Sequence, residues 1–99
     1  MSETEQYELP PISIWQQLSK LSITEDKPIM LDYWVDSFKL DPPGVLIGVK
    51  EDNEKLLVKG PEEYTSPISK IYQLDTVYII VTENSIYLTS SKIAKRKIS

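Results

Sequence analysis

The sequence predicts a mainly β domain with a minor helical part. The expected architecture is a small antiparallel sheet, curled or closed into a barrel, of about five to six strands with one short N-terminal helix. Three observations predict it. Residues 64–90 alternate with a two-residue period and are rich in β-branched and aromatic side chains. A second alternating pair of runs, Val45–Val49 and Leu56–Val58, flanks a polar turn. Only Ile14, Trp15, Leu18 and Leu21 recur at three- and four-residue steps.

In chain order, residues 1–9 are polar and acidic, with Glu3, Glu5 and Glu8, and are expected to be a flexible terminus. Pro10-Pro11 restarts the chain, and Pro11 suits the first turn of a helix, where a missing N–H costs nothing. That helix is expected to end near Leu21, followed by a polar loop from Ser22 to Lys27. At about three turns it is too short to stand alone and must dock on a sheet face. Pro28 then opens an expected strand in which Ile29, Leu31, Tyr33 and Val35 share the core side. Met30, Asp32, Trp34 and Asp36 share the wetter side, because carboxylates resist burial.

Asp41-Pro42-Pro43-Gly44 is a turn. A hairpin follows whose turn, centred on Asp52-Asn53, sets Val49 opposite Leu56 and Ile47 opposite Val58. Lys50 then faces Lys55, a small penalty. Gly48 marks a bulge or a close approach of another backbone. Gly60-Pro61-Glu62-Glu63 turns into the final meander. There, turns at Asp75-Thr76 and Glu83-Asn84 set Leu74 opposite Val77, Tyr72 opposite Ile79, Val81 opposite Ile86 and Ile79 opposite Leu88. One face collects Tyr72, Leu74, Val77, Ile79, Val81, Ile86 and Leu88 as core. The other face carries Ile71, Tyr78, Ile80 and Tyr87, too apolar for open water, and is the expected dock of the helix, the alternative being a binding surface with the helix leaving the domain to bind a partner. Residues 10–91 are read as one globular domain and 92–99 as a basic tail, a short last strand or a helical turn.

Composition narrows the function classes. Cysteine and histidine are absent. Disulfides, thiol chemistry, the usual catalytic triads and transition-metal sites lack their ligands. No glycine run cradles phosphate, and no apolar run approaches the ~20 residues of a membrane span. An intracellular, cytoplasmic location is expected. Asp32 and Asp36 are the best carboxylate pair. On a strand they stand about 13 Å apart, beyond the roughly 5–9.5 Å of two-carboxylate glycoside cleavage. No catalytic residue, metal or cofactor is expected.

The net charge of −4 hides a division. Residues 1–83 hold 15 acids and 7 bases, and residues 84–99 hold no acid and four bases. The basic set, Lys92, Lys95, Arg96 and Lys97, is the candidate for nucleic-acid contact. For protein contact the candidates are Trp34, Asp32 and Asp36, then the loop residues Glu51, Asp52 and Glu54. Residues 65–90, notably Thr65-Ser66-Pro67-Ile68 and Thr82-Glu83-Asn84-Ser85-Ile86-Tyr87, resemble stretches of small phage and archaeal-virus proteins. The resemblance implies a compact mobile-element protein and carries no functional residue with it. The function expected is a non-catalytic protein-interaction module, such as a phage- or virus-encoded regulator or inhibitor that binds a host protein. A small nucleic-acid-binding barrel is the alternative. A homodimer is expected to pair through an edge near Ile29–Phe38, since Pro67 guards the other.

Overall fold

The computed structural model describes Pro10 and residues 12–98. The expectations for residues 1–9 and Pro11 lie outside the described residues. The chain is mainly β with one helix, as its alternation predicts. Helix α1 spans Ile12–Glu25. Eight strands follow: β1 (Ile29–Met30), β2 (Leu46–Val49), β3 (Lys55–Gly60), β4 (Glu63–Tyr64), β5 (Ile68–Leu74), β6 (Val77–Thr82), β7 (Ile86–Ser90) and β8 (Ala94–Lys97). They form two four-stranded sheets, ordered β1-β7-β6-β5 and β4-β3-β2-β8, instead of one curled sheet or closed barrel. Each sheet also holds one parallel pair, β1 with β7 and β2 with β8, where only antiparallel pairing was expected.

The helix runs one turn beyond Leu21. Asp26 takes a left-handed φ of 56°, and the Lys27 N–H bonds to the Ser22 carbonyl at 3.2 Å. This is the six-to-one bond of a Schellman cap. An aspartate fills the position that glycine usually signals, so the stop was placed too early.

The meander folds in the predicted register. Leu74 faces Val77, Tyr72 faces Ile79, Val81 faces Ile86 and Ile79 faces Leu88. The docking of the helix is reversed. Ile14 and Leu18 pack on the Val77–Ile79–Val81–Ile86–Leu88 face, together with Trp34. Ile80, with Ile71, Tyr78 and Tyr87 beside it, packs instead on Ile47 and Leu57 of the second sheet and on Val45, which immediately precedes β2. The first sheet is therefore a middle layer between the helix and the second sheet. Such a layer must be apolar on both sides, which is why its second face carried isoleucine and tyrosine.

The β2–β3 hairpin lies one residue from the predicted register. Ile47 faces Leu57, Gly48 faces Leu56 and Val49 faces Lys55. The reason is Asn53, at φ 68°. The Asn53 N–H bonds to the Lys50 carbonyl at 2.9 Å, and the Lys50 N–H to the Glu54 carbonyl at 2.8 Å. A three-residue loop, Glu51-Asp52-Asn53, replaces the two-residue turn, and asparagine supplies its left-handed residue. Lys50 consequently faces Glu54, at 3.5 Å, and not Lys55. The shift puts Ile47 and Leu57 in the core and turns Gly48, Leu56 and Val58 to the outer face.

Candidate functional site

The expected Ile29–Val35 strand stops at Met30. Residues 32–35 form turns, and Asp36–Phe38 a short 3-10 helix. Trp34, proposed from sequence as an exposed anchor, is 5 % exposed and lies in the core under the helix. Its neighbour Tyr33 is equally buried, in the core between the sheets, with its ring 5.2 Å from Tyr87 and edge-on. The two adjacent aromatics thus enter different cores, one on each side of the first sheet. Burial first, then Tyr87 and the nearby charges of Glu63 and Asp32, pushes the Tyr33 phenol up to about 12.

Asp32 and Asp36 converge on Lys59 of β3. The Lys59 ammonium donates to the Asp32 carbonyl at 3.0 Å and lies 3.4 Å from the Asp36 carboxylate and 3.5 Å from Glu63. It also sits 5.0 Å over the Tyr33 ring. Asp36 pairs with Lys39 as well, at 3.0 Å. The Lys39 hydrogen bond, reinforced by Lys59, holds the Asp36 carboxyl below its usual range against the opposing effect of partial burial. The Asp36 carboxylate and the Asp32 carbonyl thus fasten the 32–38 turns to the second sheet. With Trp34 buried, the Asp32–Trp34–Asp36 set offers no exposed aromatic anchor, although Asp32 itself is exposed.

The outer face of the second sheet is a different matter. Residues directly opposite each other in neighbouring strands share a face. Gly48 lies opposite Leu56 and Arg96, and Val58 opposite Tyr64. Beyond β8, the Ile98 N–H bonds to the Val49 carbonyl at 3.0 Å, and its side chain folds over Gly48. A Cβ at Gly48 would stand 2.7 Å from Ile98 Cδ1 and 3.0 Å from Val58 Cγ2. The close approach expected at Gly48 is therefore made by side chains. Around it runs a groove of about 390 Å³, lined by Leu56, Val58, Tyr64 and Ile98 and closed by Lys50, Gly60 and Pro61. Tyr64 is 62 % exposed and Ile98 41 %.

An adjoining hollow of about 450 Å³ shares Lys50 and Ile98 and is lined also by Glu51 and Asp52. Two of the predicted loop acids therefore border the groove. The third, Glu54, is held by Lys50. Asp52 Oδ1 accepts the Glu54 N–H at 3.0 Å, which stiffens the loop. Tyr64 and Ile98 are not singled out by the sequence, since Tyr64 ends a two-residue strand and Ile98 lies in a segment read as a tail. The only available signal was Gly48, a residue that leaves room for a neighbour.

The basic candidates sit on or near β8, whose strand character realises the short-strand alternative. Lys92, Lys95, Arg96 and Lys97 are all exposed. Arg96 shares the outer face with Gly48, whereas Lys95 pairs beside the inward-facing Ile47. The run is thus divided between two sides of a sheet edge. Among the described residues no cluster of carboxylates could hold a metal ion, and no helix is long and apolar enough to cross a membrane.

No family model, curated protein or solved structure matches the chain. The groove sets apolar side chains beside an exposed phenol, with both signs of charge at its margin.

Proposed function

We propose that the chain is a non-catalytic protein-interaction module, acting as a regulator or inhibitor, whose contact surface is the outer face of the second sheet. One observation carries the reading. Tyr64 and Ile98 stand exposed over an apolar groove that no other described element covers. Exposed aromatic anchors beside apolar pockets are where binding energy concentrates at protein interfaces. Lys50, Glu51, Asp52 and Arg96 supply a polar rim.

The test is capture of partners from an extract of the native host, with wild-type chain, Tyr64→Ala and Ile98→Ser. The expected result is one captured protein lost with either variant and retained by Lys20→Ala, all four chains unfolding at similar temperature. Equal capture by Tyr64→Ala would overturn the reading.

A second reading, contact with nucleic acid through Lys92, Lys95, Arg96 and Lys97, draws on the exposure of all four and on the absence of any ion pair to them among the described residues. Its test is an anisotropy titration at low and moderate salt, since phosphate contacts weaken steeply as salt rises. No binding at low salt removes it.

A further inference from the structure

The first sheet ends at β5, and the direction of its backbone groups follows from the neighbouring strands. The Thr82 N–H bonds to the Ser85 carbonyl at 2.8 Å, so the Thr82 main chain points toward β7. Pointing alternates along a strand, so Val77, Ile79 and Val81 point toward β5. Their partners Leu74, Tyr72 and Lys70 point back. The N–H and C=O groups of Ile71 and Gln73 therefore point outward, and no described strand pairs with them.

Edges left open in this way are templates for another strand unless they are blunted. β5 is blunted only at its start, by Pro67 and by the register shift between Ile68 and Lys70. From Lys70 to Leu74 the pairing is regular, and Lys70 is the one charge, already held by Glu25 at 3.2 Å. β8, with Lys95, Arg96 and Lys97 in succession, shows what a protected edge looks like in the same molecule. The edge expected near Ile29–Phe38 is not available for pairing, because β1 has two residues and the chain then turns.

We propose that a second copy of this chain pairs antiparallel with β5 about a two-fold axis at Tyr72. This register places Ile71 opposite the partner's Gln73, and each such pair exchanges two N–H···O bonds. Every outward main-chain group of the regular segment is then satisfied. Tyr72, 39 % exposed, meets its own copy across the axis as a cross-strand aromatic pair. Lys70 meets the partner's Leu74, so no like charges are opposed. An axis at Ile71 would draw the irregular Ser69 into the ladder, and one at Lys70 would oppose two ammonium groups. A strand pair this short buries less than the ~800 Å² per partner of a standard interface, so the dimer forms as concentration rises. This surface is separate from the Tyr64–Ile98 groove and does not depend on its role.

The chain has no cysteine, which makes thiol trapping clean. Side chains directly opposed across the axis have Cβ atoms about 4.5–5.5 Å apart, close to the roughly 3.5–4.5 Å of a disulfide. Tyr72→Cys is expected to give a covalent dimer on mild oxidation. Gln73→Cys, on the other face and not opposite itself, is expected to stay monomeric. In sedimentation equilibrium the wild-type chain should pass from monomer to dimer mass. Gln73→Pro removes an outward N–H that serves no bond within the chain, and should raise the dimer dissociation constant at least about tenfold. Should circular dichroism show Gln73→Pro unfolded, Tyr72→Glu sets two carboxylates on the axis and takes its place. A wild-type chain that stays monomeric at every concentration overturns the proposal. So do equal trapping at positions 72 and 73, or a dimer indifferent to both of the other variants.

Discussion

Ser37 is a fully buried hydroxyl, and replacing it tests how the 32–38 turns are held. Its Oγ donates to the Trp34 carbonyl at 2.6 Å and accepts the Ser90 N–H at 2.8 Å. The outer edge of β7 pairs with β1 only at Ile86 and Tyr87, so farther along the strand the hydroxyl stands in for a missing neighbour. Ser37→Ala leaves the Ser90 N–H buried without an acceptor, at a cost of about 1–3 kcal/mol. The Trp34 carbonyl keeps the Ser37 N–H, at 3.2 Å, so its loss is the smaller part. The expected destabilisation is about 2 kcal/mol. With a urea m-value of about 1–3 kcal/mol/M, the midpoint should fall by roughly 1 M, with m unchanged. Tryptophan fluorescence and circular dichroism report the same transition from two sides of the fold. A midpoint within about 0.2 M of wild type would refute the reasoning, since an orphaned buried donor cannot be that cheap.

Trp34→Ala should cost about 3–5 kcal/mol as a core truncation, measured in the same urea assay. A loss under about 1 kcal/mol would return Trp34 to the surface. The Tyr33 phenol ionises near 12 in the folded chain and near 10 when unfolded. Its contribution is therefore complete below pH 10 and is lost as pH rises toward 12, on the order of 2–3 kcal/mol in all. Tyr33→Phe should flatten that loss and should remove a late-titrating phenol from the absorbance titration. Asn53→Ala should cost about 1 kcal/mol by forcing a left-handed φ on alanine, whereas Asn53→Gly should be near neutral. Thermal melts of the two variants separate backbone strain from lost side-chain contacts.

From Lys70 to Ser90 the meander is legible to the residue because its pattern and its turns agree with each other, whereas Tyr64, read as its start, pairs with β3 in the second sheet, and a register shift separates Ile68 from Lys70. Asp75 and Glu83-Asn84 close loops of the length that alternation requires, so face and register could not drift. In the first hairpin the turn overruled the pattern. Leu56 and Val58 look by alternation like the residues between the sheets, but Asn53 lengthens the loop by one residue and gives that place to Leu57, while Leu56 stays buried on the other face. Around Tyr33 and Trp34 the alternation of Ile29, Leu31, Tyr33 and Val35 is coincidental. Residues 32–35 turn and still carry Tyr33 and Trp34 into the two cores, and nothing local in the sequence announces that turn. β8 was hard to read for the opposite reason. Its side chains are exposed and basic, and its strand character comes from main-chain pairing with β2. The Tyr64–Ile98 groove shared that fate, since it joins residues distant in sequence over a glycine.

The two parallel seams, Ile29 against Ile86 and Leu46 against Ala94, each join an early part of the chain to a late one. The antiparallel hairpins close short loops and can form on their own, while the seams must wait until long stretches of chain have been gathered. Loop-closure entropy predicts that they act as the fasteners of the fold, drawn shut last and first to part. Substitutions at Ile29 or Ala94 should then speed unfolding and leave the refolding rate unchanged in a chevron measurement. Slower refolding would place the seams in the nucleus. If they do close last, the groove that depends on Ile98 is completed only when β8 has found β2, and the surface proposed for a partner is the last part of the molecule to exist.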